Sequence, residues 1–380
     1  MTDLVFENGT IVIDGGPDGG RRTADRLYVS DGRIVADAPA GADRTDLGGG
    51  WLLPGFIDTQ VNGGGGVLFN DDPSVETIRQ IGAAHARFGT TAFLPTLISD
   101  TLERVDQAMR ATEQAIAEGV PGVVGIHIEG PFLNPARKGT HDANRFLALD
   151  AESIALLGSL KRGRTLVTLA PEMCTPADIA ALAAAGVIVS AGHSDADYDT
   201  MRRAFDAGVT GVTHLFNAMS PLHHREPGVV GAAIENQRIY AGLIVDGHHV
   251  APAALRIALA ARPHDRFMLV TDAMSPVGTD ATSFTLQGKT IRIRDGACVE
   301  ENGTLAGSAL DMATAVRNAV EMLGLDVAEA AGMASASPAA FLSLADRGSL
   351  RPGARADLVW LDEKLMPRGT WIGGVPASAG

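Results

Sequence analysis

The stretch VVGIHIEG, residues 123–130, is an almost continuous apolar run that ends in an acidic side chain and a glycine. Continuous hydrophobicity over this length is typical of a parallel strand that is covered on both faces. Seven further runs have the same character and are each followed by a polar or glycine-rich break: GFIDTQ (55–60), TAFLPT (91–96), TLVTLAPE (165–172), VIVSAGHS (187–194), GVTHLFN (211–217), YAGLIVDG (240–247) and FMLVTDA (267–273). The pattern predicts eight parallel strands.

Alanine-rich segments with helical periodicity separate these runs. They are residues 74–87, 102–118, 178–185, 196–207 and 251–261. Eight alternating β/α units predict an α/β fold of the (β/α)8 TIM barrel type. The alternative is a doubly wound open sheet. For that fold we expect a G-x-G-x-x-G fingerprint after the first strand, and the sequence has none.

The two ends of the chain differ from this middle part. LVFENGTIVI (4–13) and RLYVSDGRIVAD (26–37) are strand-like runs that contain Asn-Gly and Asp-Gly, the dipeptides that favour tight hairpins. Near the other end we expect a turn and a strand from Gly348, and a further strand between Gly369 and Val375. We therefore expect residues 1–53 and 351–380 to form one small β-sandwich domain, with the barrel in residues 54–350.

Composition limits the classes of function. Of the 380 residues, 46% are apolar and 20% are charged, as in globular proteins. The net charge of −14 argues against nucleic acid and membrane partners, and an anionic ligand then needs a local basic pocket. Two cysteines, Cys174 and Cys298, suit a reducing compartment. Because we find neither a signal peptide nor an apolar run long enough to span a membrane, we expect a cytoplasmic protein.

Polar side chains concentrate where the predicted strands end, which is where a (β/α)8 barrel carries its active site. Buried acids and imidazoles are costly unless they are paired or bind a metal, so their number favours function over packing. Glu129, His193 and His214 form a His2Glu set, the ligand class that holds catalytic zinc and leaves one position for water. The other polar residues at these ends are Gln60, Asn62, Thr96, Glu172, Asp246, His248, His249 and Asp272.

Two residues near this set leave alternatives open. His127 lies two residues before Glu129 on the same strand face, either as an additional ligand or, as we favour, as a residue that supports the ligands from behind or packs in the core. Asp272 ends the eighth run, where a carboxylate beside a metal-bound water is suited to take its proton and return it to a leaving group. The alternative for Asp272, a helix N-cap, is disfavoured because AMSPVG (273–278) is not a helix opening.

Two loops supply candidate substrate contacts, with solvated loops as the alternative. KGTH (138–141) follows the third predicted strand and offers an imidazole that polarises a carbonyl or binds hydroxyls. PLHHRE (221–226) follows the sixth, and Arg225 with His249 is suited to clamp a phosphate in an otherwise acidic protein.

A series of motifs along the chain resembles the amidohydrolase superfamily and, within it, the family of N-acetylglucosamine-6-phosphate deacetylases. The matching stretches are PGFIDTQVNG (54–63), HIEGPFLN (127–134), KGTH (138–141), AGHS (191–194), THLFNAM (213–219), DGHHV (246–250), LVTDA (269–273) and LAGS (305–308). They stand in the family's order, and with the flanking strands the resemblance covers essentially the whole chain.

The resemblance implies a reaction and roles for named residues. The expected reaction is hydrolytic deacetylation of N-acetyl-D-glucosamine 6-phosphate to D-glucosamine 6-phosphate and acetate by a metal-activated water. Asp272 is then the general base and acid, and His141 polarises the acetamide carbonyl. One divalent transition metal, zinc or alternatively iron(II), is expected at Glu129, His193 and His214.

The resemblance also implies a set of substrate contacts and a homodimer in which Arg225 reaches the neighbouring site. The contacts are Thr140, Asn217, Ala218, Arg225, His249, Leu305, Ala306 and Gly307. His248, beside His249, leaves open which of the two contacts the phosphate. The native metal and activity on galactosamine analogues also stay open.

Gln60-Val61-Asn62 departs from the wider superfamily, in which many members carry His-x-His here for a second metal. A neutral amide is a poor ligand for a transition metal, so we expect a single ion. Two other functions remain as alternatives. One is another amidohydrolase, such as a dihydroorotase or a deacetylase of a different amino-sugar phosphate. The other is a catalytically silent sugar-phosphate-binding protein, against which the intact metal set and Asp272 argue.

Overall fold

A computed structural model describes residues 3–15, 21–294 and 296–377. The chain begins with five strands: β1 (Leu4–Gly15), β2 (Arg21–Ser30), β3 (Arg33–Val35), β4 (Asp43–Asp46) and β5 (Trp51–Pro54). Asp31 and Gly32 link β2 to β3 with φ angles of 47° and 73°, as a tight hairpin requires. Asn8-Gly9 forms no hairpin, so that expectation was wrong. It lies at a bulge inside β1, where the strand changes its neighbour from β4 to β5.

Alternating strands and helices follow. They are β6 (Phe56–Val61), a small hairpin of β7 (Gly63–Gly64) and β8 (Val67–Leu68), α1 (Val75–Ala86), β9 (Thr90–Ile98), α2 (Leu102–Ala117), β10 (Gly125–Glu129), α3 (Ala151–Leu157), β11 (Arg164–Leu169), α4 (Pro176–Ala184), β12 (Ile188–Ala191), α5 (Tyr198–Ala207), β13 (Val209–Val212), α6 (Gly228–Glu235), β14 (Tyr240–Leu243), α7 (Pro252–Ala261) and β15 (Phe267–Leu269). Several helices start where the sequence supplies a cap, as at Ser74, whose side chain accepts a hydrogen bond from the Thr77 backbone N–H.

The eight predicted apolar runs form one parallel sheet in the order β15-β14-β13-β12-β11-β10-β9-β6. Its two edges meet where the Asp272 N–H donates to the Gln60 carbonyl, at 3.0 Å, and the Asn62 N–H donates to the Ala273 carbonyl, at 2.9 Å. The sheet therefore closes into a (β/α)8 barrel, and the predicted fold class is confirmed. The five predicted helices are α1, α2, α4, α5 and α7.

A four-stranded antiparallel sheet follows the eighth barrel strand, and the sequence analysis did not anticipate it. It consists of β16 (Ser283–Leu286), β17 (Lys289–Arg294), β18 (Ala297–Val299) and β19 (Leu305–Ser308). We call this sheet the insert. Its apolar side chains, including Ile291 and Cys298, pack against Leu68, Ile98 and Met274 at the mouth of the barrel.

Three helices and three strands complete the chain: α8 (Met312–Leu323), α9 (Val327–Ala334), α10 (Ala336–Phe341), β20 (Leu358–Leu361), β21 (Pro367–Ile372) and β22 (Val375–Pro376). β20 pairs antiparallel with β5, so both ends of the chain share one sheet. Phe6 and Trp371 lie three strands apart in this sheet, yet their ring centroids are 4.8 Å apart, because the sheet curls over a common core.

The division of the chain into a small β domain and a barrel domain, with boundaries at residues 53/54 and 350/351, stays a prediction. In the described part of the chain, we find no helix whose length and apolar character would allow it to cross a membrane.

Candidate active site

Four chemically important side chains meet at the C-terminal mouth of the barrel. Glu129 is the last residue of β10, while His193, His214 and Asp272 follow β12, β13 and β15. These last three have φ angles of 49°, 33° and 52°, in the left-handed region that residues other than glycine rarely adopt. Such backbone persists where the surrounding structure enforces it, and it is concentrated at functional sites.

Glu129, His193 and His214 form a buried cluster around a single point. The Nε2 atoms of His193 and His214 lie 3.1 Å and 3.0 Å from Glu129 Oε1, and 3.1 Å from each other. Burial raises the pKa of Glu129, but the two adjacent imidazoles outweigh it and hold that pKa well below its usual value. The three ligand atoms lie within 4.8 Å of one another, so the set fits a metal ion.

The imidazole of His193 is oriented from its far side. Its Nδ1 lies 2.9 Å from the carbonyl oxygen of Arg137, which accepts a hydrogen bond and therefore requires the proton to be on Nδ1. The lone pair of Nε2 then faces Glu129 and His214. This is the tautomer that a metal ligand needs, and a carbonyl behind the ring is a usual way of selecting it.

Gln60 and Asn62 lie at the C-terminal end of β6, where a second pair of metal ligands would have to stand. Gln60 Nε2 donates to Glu129 Oε2 at 3.2 Å and to Asp272 Oδ1 at 3.2 Å. Asn62 Nδ2 donates to the same Asp272 oxygen at 2.6 Å. Both amides thus act as donors that hold two carboxylates side by side, which is a different task from binding an ion.

Asp272 is placed to exchange protons with a group in the cavity. Burial and the negative charge of Glu129 raise its pKa above the usual value. Beneath it, the buried Asp58 carboxylate accepts hydrogen bonds from the Thr271 hydroxyl and from the Gln60 N–H, and so joins the first strand of the barrel to the last. Burial raises the pKa of Asp58 to about 7.

His141 enters the site as a neutral donor. The Ser99 N–H donates to His141 Nδ1 at 3.4 Å, and the Ser99 hydroxyl lies 2.8 Å from the same nitrogen. The proton is therefore on Nε2. Burial lowers the pKa of His141 to about 3.

A cavity of about 470 Å³ lies above these residues. It brings together most of the residues that the sequence analysis named. Its lining includes Glu129, Thr140, His141, His193, His214, Asn217, Ala218, His249, Asp272, Leu305 and Gly307.

Other residues named from the sequence lie outside the lining of this cavity. Ala306 has its side chain in the apolar core of the insert. Arg225 is exposed on a loop and does not line the cavity within its own chain. His248 is exposed too, whereas His249 lines the cavity and its Nδ1 bonds Asp246 Oδ2 at 2.6 Å. His127 lies outside the metal cluster and bonds the Thr168 hydroxyl at 2.7 Å, in agreement with the supporting or packing role that we favoured.

Comparison with a family model places this site in a known context. The model of the amidohydrolase family matches residues 51–376, which is most of the chain. The chain belongs to the amidohydrolase family. The resemblance drawn from the sequence motifs is thereby confirmed.

Individual relatives of this amidohydrolase are similar over almost their whole length. It is 44% identical to the N-acetylgalactosamine-6-phosphate deacetylase of Shewanella sp. (strain ANA-3), over 92% of this chain and 90% of that protein. It is 39% identical to the N-acetylglucosamine-6-phosphate deacetylase of Bos taurus, over 94% and 92%. The crystal structure of N-acetylglucosamine-6-phosphate deacetylase from Pasteurella multocida superposes with a TM-score of 0.93 at 35% identity, covering 98% of this chain and 99% of that one.

The amidohydrolase site contains residues that the sequence analysis missed. Ser99 follows the β9 run by one residue, so extending that run to Ile98 would have placed it at a strand end. The sequence indicated Glu172 only through its position at the end of a predicted strand. Its carboxylate accepts hydrogen bonds from Asn134, at 2.9 Å, and from Ser194, at 2.6 Å. These bonds link the loops around His193. Lys289 and Glu300 of the insert carried no recognisable signal.

Proposed function

We propose that this amidohydrolase removes the acetyl group from N-acetyl-D-glucosamine 6-phosphate, giving D-glucosamine 6-phosphate and acetate. The single observation that carries the proposal is the His2Glu cluster with Asp272 and His141 around one cavity. Its likeness to deacetylases of amino-sugar phosphates supports the choice of substrate.

We infer that Glu129, His193 and His214 hold one divalent transition metal. Zinc is the ion that this ligand class suits, and iron(II) is the alternative. When bound, such an ion lowers the pKa of a coordinated water toward about 7 and polarises a carbonyl. Support for a single ion comes from Gln60 and Asn62, whose amide groups are engaged as donors to carboxylates.

Asp272 acts first as a general base and then as a general acid. Its carboxylate takes a proton from the attacking water as the water oxygen bonds to the acetyl carbon. The same proton then passes to the nitrogen of the sugar while the carbon–nitrogen bond breaks, so that acetate and the amine leave. Hydrogen bonds from Gln60 and Asn62 hold the carboxylate in position for both transfers.

His141 stabilises the charge that develops on the acetyl oxygen. Because its Nδ1 accepts from Ser99, its Nε2–H is free to donate toward the cavity. A donor that is already oriented costs no reorganisation when the charge appears, which is why such groups contribute strongly to acyl transfer.

Other residues are proposed to hold the sugar phosphate. Arg225 and His249 contact the phosphate, with Arg225 coming from the second subunit of a homodimer. Thr140, Asn217, Ala218, Leu305, Ala306 and Gly307 surround the sugar, and Ala306 contributes its backbone because its side chain is buried in the insert. We also propose a cytoplasmic location, and the division into a barrel domain of residues 54–350 and a small β domain of residues 1–53 and 351–380.

N-acetyl-D-galactosamine 6-phosphate is a second candidate substrate. The observation in its favour is the 44% identity to a deacetylase of that name, against 39% for the bovine deacetylase named for the glucosamine compound. The two sugars differ in the orientation of one ring hydroxyl, so the same catalytic groups serve either.

The test is acetate release by the purified protein from both 6-phosphates, with the metal content measured by elemental analysis. We expect a higher kcat/KM for the glucosamine compound and one ion per chain. A higher kcat/KM for the galactosamine compound would replace the substrate but keep the reaction. No acetate from either compound in the metal-loaded protein would refute the deacetylase function, and two ions per chain with activity following the second would refute the single site.

A further inference from the structure

The insert is joined to the loop that carries His141 by a polar bridge of three side chains. Thr140 Oγ1 donates to Glu300 Oε1 at 2.8 Å, and Lys289 Nζ lies 3.0 Å from the same oxygen. Lys289 Nζ also donates to the Thr140 carbonyl at 3.4 Å. Thr140 is buried and lines the cavity, while the Glu300 side chain is only 12% exposed.

The bridge decides which way the Thr140 hydroxyl group points its proton. An ionised carboxylate has no proton to donate, so in the contact between Thr140 and Glu300 the hydroxyl must be the donor. A hydroxyl has one proton and two lone pairs, and the proton is used here. Toward the cavity, Thr140 therefore offers lone pairs alone and accepts hydrogen bonds.

We propose that Glu300 is a specificity-determining positioning residue, which makes Thr140 a hydrogen-bond acceptor that reads a hydroxyl group of the sugar ring. A ring hydroxyl donates a hydrogen bond to such an acceptor. The oxygens of a phosphate are acceptors and gain nothing from it. This proposal rests on the proposed function. It adds that the cavity wall at Thr140 accepts hydrogen bonds, so the sugar binds with a hydroxyl group, and not its phosphate, toward the insert.

Lys289 has a defined part in this arrangement. Its ammonium group has donors only, so it prefers the oxygen of whatever side chain stands at position 300. Glu300→Gln keeps an oxygen that accepts from both Lys289 and Thr140, as one oxygen of Glu300 does. Glu300→Leu removes that acceptor at similar size, so the Thr140 hydroxyl turns its proton into the cavity. Glu300→Leu therefore abolishes the fixed polarity of Thr140, and Glu300→Gln preserves it.

The experiment measures acetate release by the metal-loaded protein from N-acetylglucosamine 6-phosphate and from its 3-deoxy and 4-deoxy analogues. For Glu300→Leu we expect KM to rise about 3- to 10-fold, the range of one ordinary hydrogen bond, with kcat and metal content nearly unchanged, and Glu300→Gln should restore KM toward that of the wild type. Thr140→Val should raise KM similarly. Combining Thr140→Val with Glu300→Leu should add little, because both remove the same interaction. Glu301→Leu makes the same substitution at the neighbouring exposed position and is the matched control, with KM unchanged.

The deoxy analogues identify what Thr140 contacts. With the wild type, one of the two analogues should have a KM about 3- to 10-fold higher than that of N-acetylglucosamine 6-phosphate. With Thr140→Val, this penalty should disappear, so that the analogue and the parent compound have similar KM values. The proposal is overturned if KM of Glu300→Leu matches that of Glu301→Leu, or if neither deoxy analogue loses its penalty in Thr140→Val. An active wild type with either result refutes the role of Glu300 alone, whereas a wild type that releases no acetate refutes the proposed function and this inference with it.

Discussion

The floor of the cavity and its rim are built in different ways. On the floor, Glu129, His193 and His214 lie at the ends of strands of one closed barrel, and the two Nε2 atoms lie within 3.1 Å of Glu129 Oε1 in a buried cluster. On the rim, Thr140 and Glu300 come from separate loops, and Lys289, which links to them, has a side chain that is 41% exposed. Groups that require sub-ångström placement thus lie on the rigid part, and groups that select the substrate lie on connections that vary without disturbing the barrel.

The largest expected effect tests the floor. Asp272→Asn keeps the size of the side chain but removes the group that takes the proton of the attacking water. We expect kcat to fall by roughly 10² to 10⁴. Acetate release and elemental analysis should be measured on the same preparation, since unchanged metal content separates lost proton transfer from a damaged site. Near-normal turnover in the metal-loaded variant would assign the role to another residue.

The next effect tests the rim. Arg225→Ala should lower kcat/KM for the phosphorylated substrate by roughly 30-fold to several thousand-fold, as when one partner of a desolvated charge pair is lost. Unphosphorylated N-acetylglucosamine, a poor substrate already, should be turned over equally by wild type and variant. An equal loss on both compounds would remove Arg225 from phosphate binding.

Mixed dimers show which subunit supplies the arginine. A hybrid of Arg225→Ala and Asp272→Asn chains should recover part of the activity that each homodimer lacks. The site with intact Asp272 then receives Arg225 from the other chain. Verified hybrids without recovery would mean that the arginine serves its own subunit.

A smaller effect is expected for the hydrogen bonds that hold Asp272. Asn62→Leu removes the donor at 2.6 Å from the Asp272 carboxylate and leaves Gln60 in place. We expect kcat to fall roughly tenfold, in the range for the loss of one hydrogen bond to a charged group, with KM within about threefold. Steady-state kinetics provide the check, and a variant with unaltered kcat would show that Gln60 is sufficient to position Asp272.

The last effect concerns stability, and not activity, at the seam of the barrel. The pKa of Asp58 is raised to about 7 by burial, from an ordinary value of 3.8. As pH rises from about 4 to 7, the unfolded chain releases this proton and the folded chain keeps it, so the wild type loses up to about 1.4 kcal/mol of unfolding free energy per pH unit. In Asp58→Asn, the free energy of unfolding does not fall in this way, because the amide does not titrate. Urea denaturation at pH 5 and pH 7 should show the variant improving relative to the wild type as pH rises, and a constant difference would contradict the raised pKa.

The sequence predicted the floor of the cavity better than the rim. Each barrel strand carries its own signal, a covered apolar run with a polar residue at its end, so that Glu129 and Asp272 were found where the runs stop. The rim has no such local signal. β16 and β17 are short, half-exposed strands that become stable by packing on the barrel, so the positions of Lys289 and Glu300 could not be inferred.

Local patterns also misled at one point. Asn8-Gly9 favours a hairpin in isolation, but here the chain continues because β1 has partners on both sides of the bulge. Tertiary pairing outweighed the preference of the dipeptide, whereas at Asp31-Gly32 the flanking strands β2 and β3 pair with each other and the chain turns as expected.

By itself, the sequence determined the alternation of buried strands and helices, and with it the convergence of Glu129, His193, His214 and Asp272, because parallel strands bring their ends to one face. Tertiary structure alone decided which ring nitrogen of His193 carries the proton and which side chain Thr140 bonds. The carbonyl of Arg137 selects the tautomer of His193, and Glu300 sets the polarity of Thr140. Both depend on contacts between residues far apart in the chain, and no spacing along the sequence encodes such a contact.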